Sequence, residues 1–387
     1  MIRDLVEQCE ENEVIILVDQ QKAFDRVELS WLFQVLDKFK FGKSFISCLK
    51  TLYKDMKSCI LTNGYVSSVF PVTRGIRQGD SLSALLYILQ LEPLSAYFRK
   101  TQRINGIKLE GFNSAFEVRN KHYVDDTIIC LNHINMTDEC LDIIEEFGKV
   151  SGSKLNREKT IGLVMSDRVI NSNTVLSHVR FTLGPVNVLG IPVGKNEDEN
   201  FWDSIIEKIG KQFAMWKNRH LSLTGKVLIV KSLGMSKLLF SSNFISMNDR
   251  EIKKIEKLFF DFIWEGKKNR VNREVCVLPR NKGGLGMVDL RTSIKTQKIK
   301  WIKRILQAED HDEWAMIPLR NLKCLDRKYK TEYFALRVSD QNTVKRLGNV
   351  NKFYSQCIEA FQELCNVKKI LTTNDIIWCN NNVTFNG

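Results

Sequence analysis

No apolar run in this chain approaches the roughly 18 residues that a membrane span requires. The opening Met1-Ile2-Arg3-Asp4-Leu5-Val6-Glu7 is too acidic and too broken for a secretory signal. An intracellular protein is expected, in the nucleus or cytoplasm and not secreted. The ten cysteines, Cys48, Cys59, Cys130, Cys276 and Cys324 among them, show no C-x-x-C spacing, so they read as reduced core residues and not as a disulfide framework. Cys357, Cys365 and Cys379 have no histidine between or beyond them, and no zinc is expected there. No internal repeat and no long low-complexity linker divides the chain.

What is present is length, a sizeable apolar fraction and positive charge. A chain of 387 residues can build two or more compact units, and 43% apolar content suits a globular protein. A formal net charge of +13 implies a polyanionic partner or an anionic surface, although a merely basic protein would show the same balance.

The most informative stretch is Lys121-His122-Tyr123-Val124-Asp125-Asp126-Thr127-Ile128-Ile129-Cys130-Leu131, which reads as strand, tight acidic turn and strand. Paired carboxylates at a hairpin tip suit a hard cation such as Mg²⁺, which needs only one or two protein oxygens when substrate phosphates complete its shell. A solvated turn would look the same, so other motifs must decide. Upstream, Glu13 to Val18 is a short β-branched run that ends abruptly at Asp19, as a buried strand would.

After that strand come Gln20-Gln21-Lys22-Ala23-Phe24-Asp25-Arg26-Val27 and then Arg74-Gly75-Ile76-Arg77-Gln78-Gly79-Asp80-Ser81-Leu82-Ser83. With the acidic hairpin, these blocks stand in the order and at about the spacing of reverse transcriptase palm motifs. The chain resembles the reverse transcriptase of a LINE-type (non-LTR) retrotransposon. Ser151 to Thr160 is similar to the next palm motif, and Val188 to Gly194 to the primer-grip hairpin. Phe262 to Gly266 and Leu278-Pro279 through Gly283-Gly284-Leu285-Gly286 resemble the region after the palm in this branch. The resemblance covers roughly residues 1 to 306.

This resemblance implies an RNA-directed DNA polymerase that takes an RNA template, a DNA primer and deoxynucleoside triphosphates. Asp19, Asp125 and Asp126 are implied to bind two Mg²⁺ (or Mn²⁺) ions, about 3.5 to 4 Å apart in such sites. Phe24 would be the steric gate beneath the sugar, with simple core packing as the competing reading. Asp25 would make a structural or capping hydrogen bond. Gln78 and Gly79 would form the loop touching nucleotide and template, the glycine admitting close backbone approach, with Arg74 and Arg77 flanking it. Lys159 would sit near the triphosphate as a general acid or else be a surface lysine. Tyr123 and Val124 would shape the hairpin beside the primer end.

Some positions depart from the family. Asp80-Ser81 replaces the usual Cys-Pro, so Ser81 is expected to cap a helix and Asp80 to be tolerated. Val124 replaces a more frequent alanine. The resemblance starts just before Asp19, so an amino-terminally truncated polymerase is expected, with the endonuclease and most of the fingers missing. A catalytically silent remnant or co-opted nucleic-acid-binding protein, and less so a group II intron maturase, remain alternatives.

The expected fold is α+β, a polymerase palm with an antiparallel sheet and packed helices over residues 1–198. A helical, basic, thumb-like region should follow over 199–310, then a segment of unknown role over 311–387. Ser30 is expected to cap a helix burying Trp31, Leu32, Val35, Leu36 and Phe39, and Ser44 one burying Phe45, Leu49, Leu52 and Met56. Asn63-Gly64 signals a hairpin turn, Ser81 to Leu94 a long helix, and Leu141, Ile144 and Phe147 another that ends at Ser151-Gly152. Later, Phe201, Ile205, Ile209, Phe213 and Trp216, and Ile252, Ile255, Phe259 and Phe262, recur at helical spacing. These should be core, while Lys208, Lys211, Lys217, Lys253, Lys254 and Lys257 face solvent or phosphate.

Overall fold

A computed structural model describes residues 2–110, 115–166, 175–176, 178–195, 200–267, 270–309, 312–320 and 352–368. Its centre is a six-stranded sheet in the order Val175–Leu176, Val179–Thr182, Ile161–Val164, Val14–Val18, Asp126–Leu131, Asn120–Tyr123. Neighbours are antiparallel except Ile161–Val164 and Val179–Thr182, which run parallel.

The unbroken apolar character of Val14–Val18 follows from burial on both faces. Val14, Ile16 and Val18 join Ile129 and Leu131 in a core backed by the helices Leu29–Lys38, Ser83–Lys100 and Thr137–Ser151. Ile15 and Leu17 turn the other way. With Ile128 and Cys130 they meet the amino-terminal helix Ile2–Gln8 and the hairpins Ile107–Glu110/Ala115–Val118 and Val186–Val188/Ile191–Val193. Each of these side chains contributes roughly 1.5–3 kcal/mol by leaving water. The expected mixed helix-and-sheet architecture is present.

Both predicted tight hairpins form. Asn63 and Gly64 have φ of 46° and 84°, and Leu189 and Gly190 have 51° and 80°, the double positive φ of a two-residue hairpin loop. The Thr137–Ser151 helix ends at Gly152 as expected, with left-handed backbone there.

The predicted serine caps do not form. Leu29–Lys38 follows Glu28, Lys43–Leu52 follows Gly42 and Ser83–Lys100 follows Leu82, none with a side-chain cap. Ser30 and Ser44 fall inside their helices, too late to receive the second or third N–H, while Ser81 lies ahead of its helix in a turn. The faces also rotate. Phe39, Phe45 and Leu52 are exposed and Trp31 is half-buried, while Met56 is buried beyond its helix end.

After the sheet the chain is helical, with Phe201–Lys217, Leu223–Ile229, a π-helical Val230–Met235, Ser236–Ser242, Asp249–Trp264 and Leu290–Leu306. Phe201, Ile209, Phe213, Ile252, Ile255, Phe259 and Phe262 form one core and Ile205 and Trp216 pack on it, as their periodicity predicts. Among the lysines, Lys211 pairs with Glu207 and Lys254 with Asp203 at 2.6 Å each, while Lys208, Lys217, Lys253 and Lys257 are exposed. The helix Lys352–Lys368 supplies Phe353, Tyr354, Cys357 and Phe361 to a further core with Ile302 and Ile305 of Leu290–Leu306.

Candidate active site

Asp19 lies directly after the Val14–Val18 strand, half-buried. Val18 pairs with Thr127, so one further step of the antiparallel register sets Asp19 opposite Asp126 on the same sheet face. Asp126 also pairs with Tyr123 across the hairpin, leaving Val124 and Asp125 as the two-residue loop. Val124 has φ of 56°, strained for a β-branched residue and worth about 1–3 kcal/mol at such sites. Its cost is held against partial packing of Val124 on the core.

The three acids influence one another electrostatically. Partial burial, then the negative charges of Asp125 and Asp19, raise the pKa of the Asp126 carboxyl above its ordinary value. Among the described residues, no three His, Cys, Asp or Glu side chains form a ready-made metal cage. An all-oxygen donor set carrying excess negative charge still fits a hard cation that draws part of its shell from water or phosphate.

The backbone of Asp19 is fixed by residues far along the chain. Its N–H donates to Thr160 Oγ1 at 3.3 Å, and its carbonyl accepts from the Asn156 N–H at 2.9 Å. Gln20 bridges to Leu155, and the Gln21 N–H donates to the Lys154 carbonyl at 2.8 Å. The buried Thr160 donates its hydroxyl proton to the Asn156 carbonyl at 2.8 Å, closing the loop on itself. Lys159 is exposed on this same loop.

Phe24 is half-buried at the start of a short 3₁₀ turn, Phe24–Arg26, and stacks on the fully buried Tyr87 at 4.8 Å. Tyr87 donates its hydroxyl proton to Gln20 Oε1 at 2.7 Å. Burial first, and the charge of Asp125 second, raise the Tyr87 pKa. One side chain thus joins the aromatic to the residue after Asp19.

Gln78 reaches the same turn, its Nε2 donating to Asp25 Oδ1 at 3.2 Å. Asp25 therefore holds Gln78 and does not cap a helix. Gly79 has φ of 93° with open space where a side chain would lie, so its backbone angle, not close approach within the protein, requires glycine. Close approach belongs instead to Gly75, at φ 94°, where a Cβ would stand 2.7 Å from the Asp25 carbonyl oxygen. Arg74 pairs with Glu28 at 3.5 Å, and Arg77 is exposed.

His122, beneath the acidic turn, was not singled out from the sequence. Its Nε2 accepts from Asn120 Nδ2 at 2.9 Å, and its Nδ1 is hydrogen-bonded to Thr127 Oγ1 at 3.0 Å. Burial, then Arg99 and Lys121, lower its pKa to about 4. Only the adjacent motif marked this region; Thr160, Asn156, Gly75 and Tyr87 carried no local signal beyond lying in or near the matched blocks.

Residues 2–193 match the family described as Reverse transcriptase (RNA-dependent DNA polymerase). The Transposon TX1 uncharacterized 149 kDa protein of Xenopus laevis is 27% identical over 329 residues, 82% of this chain and 24% of that protein. The retrovirus-related Pol polyprotein from type-2 retrotransposable element R2DM of Drosophila melanogaster is 26% identical over 184 residues, 47% of this chain and 16% of that protein. The chain thus spans about a quarter or less of the curated relatives it matches. A solved apo telomerase from Candida tropicalis aligns at a TM-score of 0.40 and 14% identity, covering 89% of this chain and 55% of that one.

Proposed function

We propose, for a chain that belongs over residues 2–193 to the reverse transcriptase family and is related to non-LTR retrotransposon proteins, that it extends a DNA primer on an RNA template. The observation that carries this reading is the register bringing Asp19 beside Asp126 at the end of two adjacent strands. The substrates are deoxynucleoside triphosphates, and the metal is Mg²⁺, with Mn²⁺ as substitute.

Asp19, Asp125 and Asp126 hold the metal in this proposal. Bound divalent cations would supply Lewis-acid activation of the primer hydroxyl and neutralise charge on the triphosphate. The loop from Lys154 to Thr160 keeps Asp19 at the strand end while substrates exchange. Phe24, backed by Tyr87, excludes a 2′-hydroxyl. Asp25 orients Gln78 toward nucleotide and template. Arg77 and Lys159 attract phosphate, and Lys159 is the general acid toward pyrophosphate. Tyr123, largely exposed, borders the primer end. Residues 1–198 act as palm and 199–310 as thumb, whose exposed lysines track the phosphate backbone.

A labelled DNA primer annealed to RNA tests this directly. Extension with Mg²⁺ and none with chelator supports it. Tight, salt-sensitive binding without extension under Mg²⁺ or Mn²⁺ favours the silent, nucleic-acid-binding alternative.

A further inference from the structure

The edge strand of the acidic hairpin has an unexpected contact with the carboxyl-terminal part of the chain. Lys121, in the Asn120–Tyr123 strand, forms an ion pair and hydrogen bond with Glu313, 192 residues later. One helical turn on, Ile317 is 1% exposed and enters the core that contains Ile128 and Cys130 of the acid-bearing strand. The spacing of four residues puts Glu313 and Ile317 on one helix face.

An adjoining face of this segment meets a second core. Trp314 packs against Trp301 at 5.8 Å, and the Arg304 guanidinium lies 5.0 Å over the Trp314 ring. Trp301 in turn meets Phe353 at 5.9 Å. Residues 313–320 are thus wedged between the sheet face of Ile128 and Cys130, which Asp19 and Asp126 share by register, and the core formed by Leu290–Leu306 and Lys352–Lys368. Tyr354 closes the arrangement by donating its hydroxyl proton to Asp4 Oδ2 at 3.2 Å, on the amino-terminal helix.

We infer that residues 313–320 are a brace for the acidic hairpin, and that Glu313 is a positioning residue acting through Lys121. The hairpin carries a strained Val124 at its tip, and among the described residues Asn120–Tyr123 has one strand neighbour in the sheet. A two-residue turn under that strain is steadied by contacts along its two strands. Ile317 packs on the acid-bearing strand at Ile128 and Cys130, and Glu313 fixes the outer strand by its lysine. The segment assigned no role by sequence thereby becomes part of the active-site scaffold. This inference rests on the polymerase reading for its catalytic consequence, but not for its structural one.

Hydrogen exchange on the full chain tests the structural part without any activity. Glu313→Lys should speed exchange in peptides spanning residues 120–131 by about two- to fivefold, the range expected when a half-exposed ion pair is lost. Peptides of the helix Asp249–Trp264 should not change. Lys121→Glu should reproduce the effect, and the double charge reversal should restore wild-type exchange. Ile317→Ala should loosen the same peptides. In primer extension, the single reversals should lower kcat with little change in KM for primer–template, and the double variant should recover. Wild-type exchange in Glu313→Lys, or a double variant no better than the singles, overturns the brace. Loss of exchange protection without any wild-type extension would leave the brace standing and overturn the polymerase reading alone.

Discussion

The rings of Phe24 and Tyr87 stack with planes 18° apart, and Tyr87 is fully buried, so Phe24 cannot retreat from the space in front of it without displacing core. In the proposed gate, Phe24 presents the surface and Tyr87, stacked behind it, sets its depth. Phe24→Val should admit ribonucleotides. Tyr87→Leu should weaken the same discrimination by letting the Phe24 ring sink. Tyr87→Phe should preserve it, since stacking remains, but should lower turnover through the lost bond to Gln20. Incorporation ratios for ribo- and deoxynucleotides check all three, and unchanged selectivity in Phe24→Val contradicts the gate.

Mutual repulsion among the acids gives a titration test. Neighbouring carboxylates raise the Asp126 pKa, so Asp19→Asn or Asp125→Asn should shift its titration downward toward the ordinary value. The sign for stability follows: Asp126 is less favourably ionised in the folded chain, so the repulsion acts above its folded pKa and is relieved as pH falls. Each Asn variant should be slightly more stable at neutral pH, by a few tenths of a kcal/mol after solvent screening. Carboxyl NMR titration and thermal melts read these effects.

His122 supplies a separate pH dependence. Its folded pKa of about 4 lies below the ordinary 6.5, so the neutral form is favoured by folding. Stability from this group is therefore complete above pH 6.5 and lost as pH falls toward 4, by up to about 3 kcal/mol for a shift of this size. Urea unfolding at pH 7 and 4.5 should differ less in His122→Gln than in the wild type.

Gly75→Ala should be destabilising by about 1–3 kcal/mol, because it combines a positive φ with a clash against the Asp25 backbone. The loss should fall on the loop that presents Gln78. A variant that melts like the wild type would show that this loop and the Phe24–Arg26 turn are not packed as described.

Much of this site was legible because its signals are short-ranged. An apolar run ending at Asp19, and strand, acid doublet, strand, reveal their elements within a dozen residues. Core positions in Phe201–Lys217 and Asp249–Trp264 followed from period alone. The bonds fixing Asp19 were not legible, since Thr160 lies 141 residues away and an isolated threonine carries no signature. Helix starts at Ser30, Ser44 and Ser81 were misread because tertiary packing set those ends and left the hydroxyls out of register. Glu313 was invisible for the same reason as Thr160: its meaning depends on a distant lysine.

Exposed lysines predict strongly salt-dependent binding to primer–template duplex, with a log–log slope of about −0.9 per neutralised phosphate for B-form DNA. Lys253→Gln with Lys257→Gln should make the slope shallower by about two if both face the duplex. An unchanged slope assigns them to bulk solvent.

Asp19, Asp125 and Asp126 are proposed to form one catalytic cluster, and primer extension compared with duplex binding in Asp125→Asn tests this. Extension by the wild type with Mg²⁺ should fall by about a hundred- to a thousandfold in the variant, the scale on which loss of catalytic charge stabilisation acts. Binding should remain nearly intact, because one charge is removed without disturbing the fold. Extension by Asp125→Asn at the wild-type rate would place the active site elsewhere.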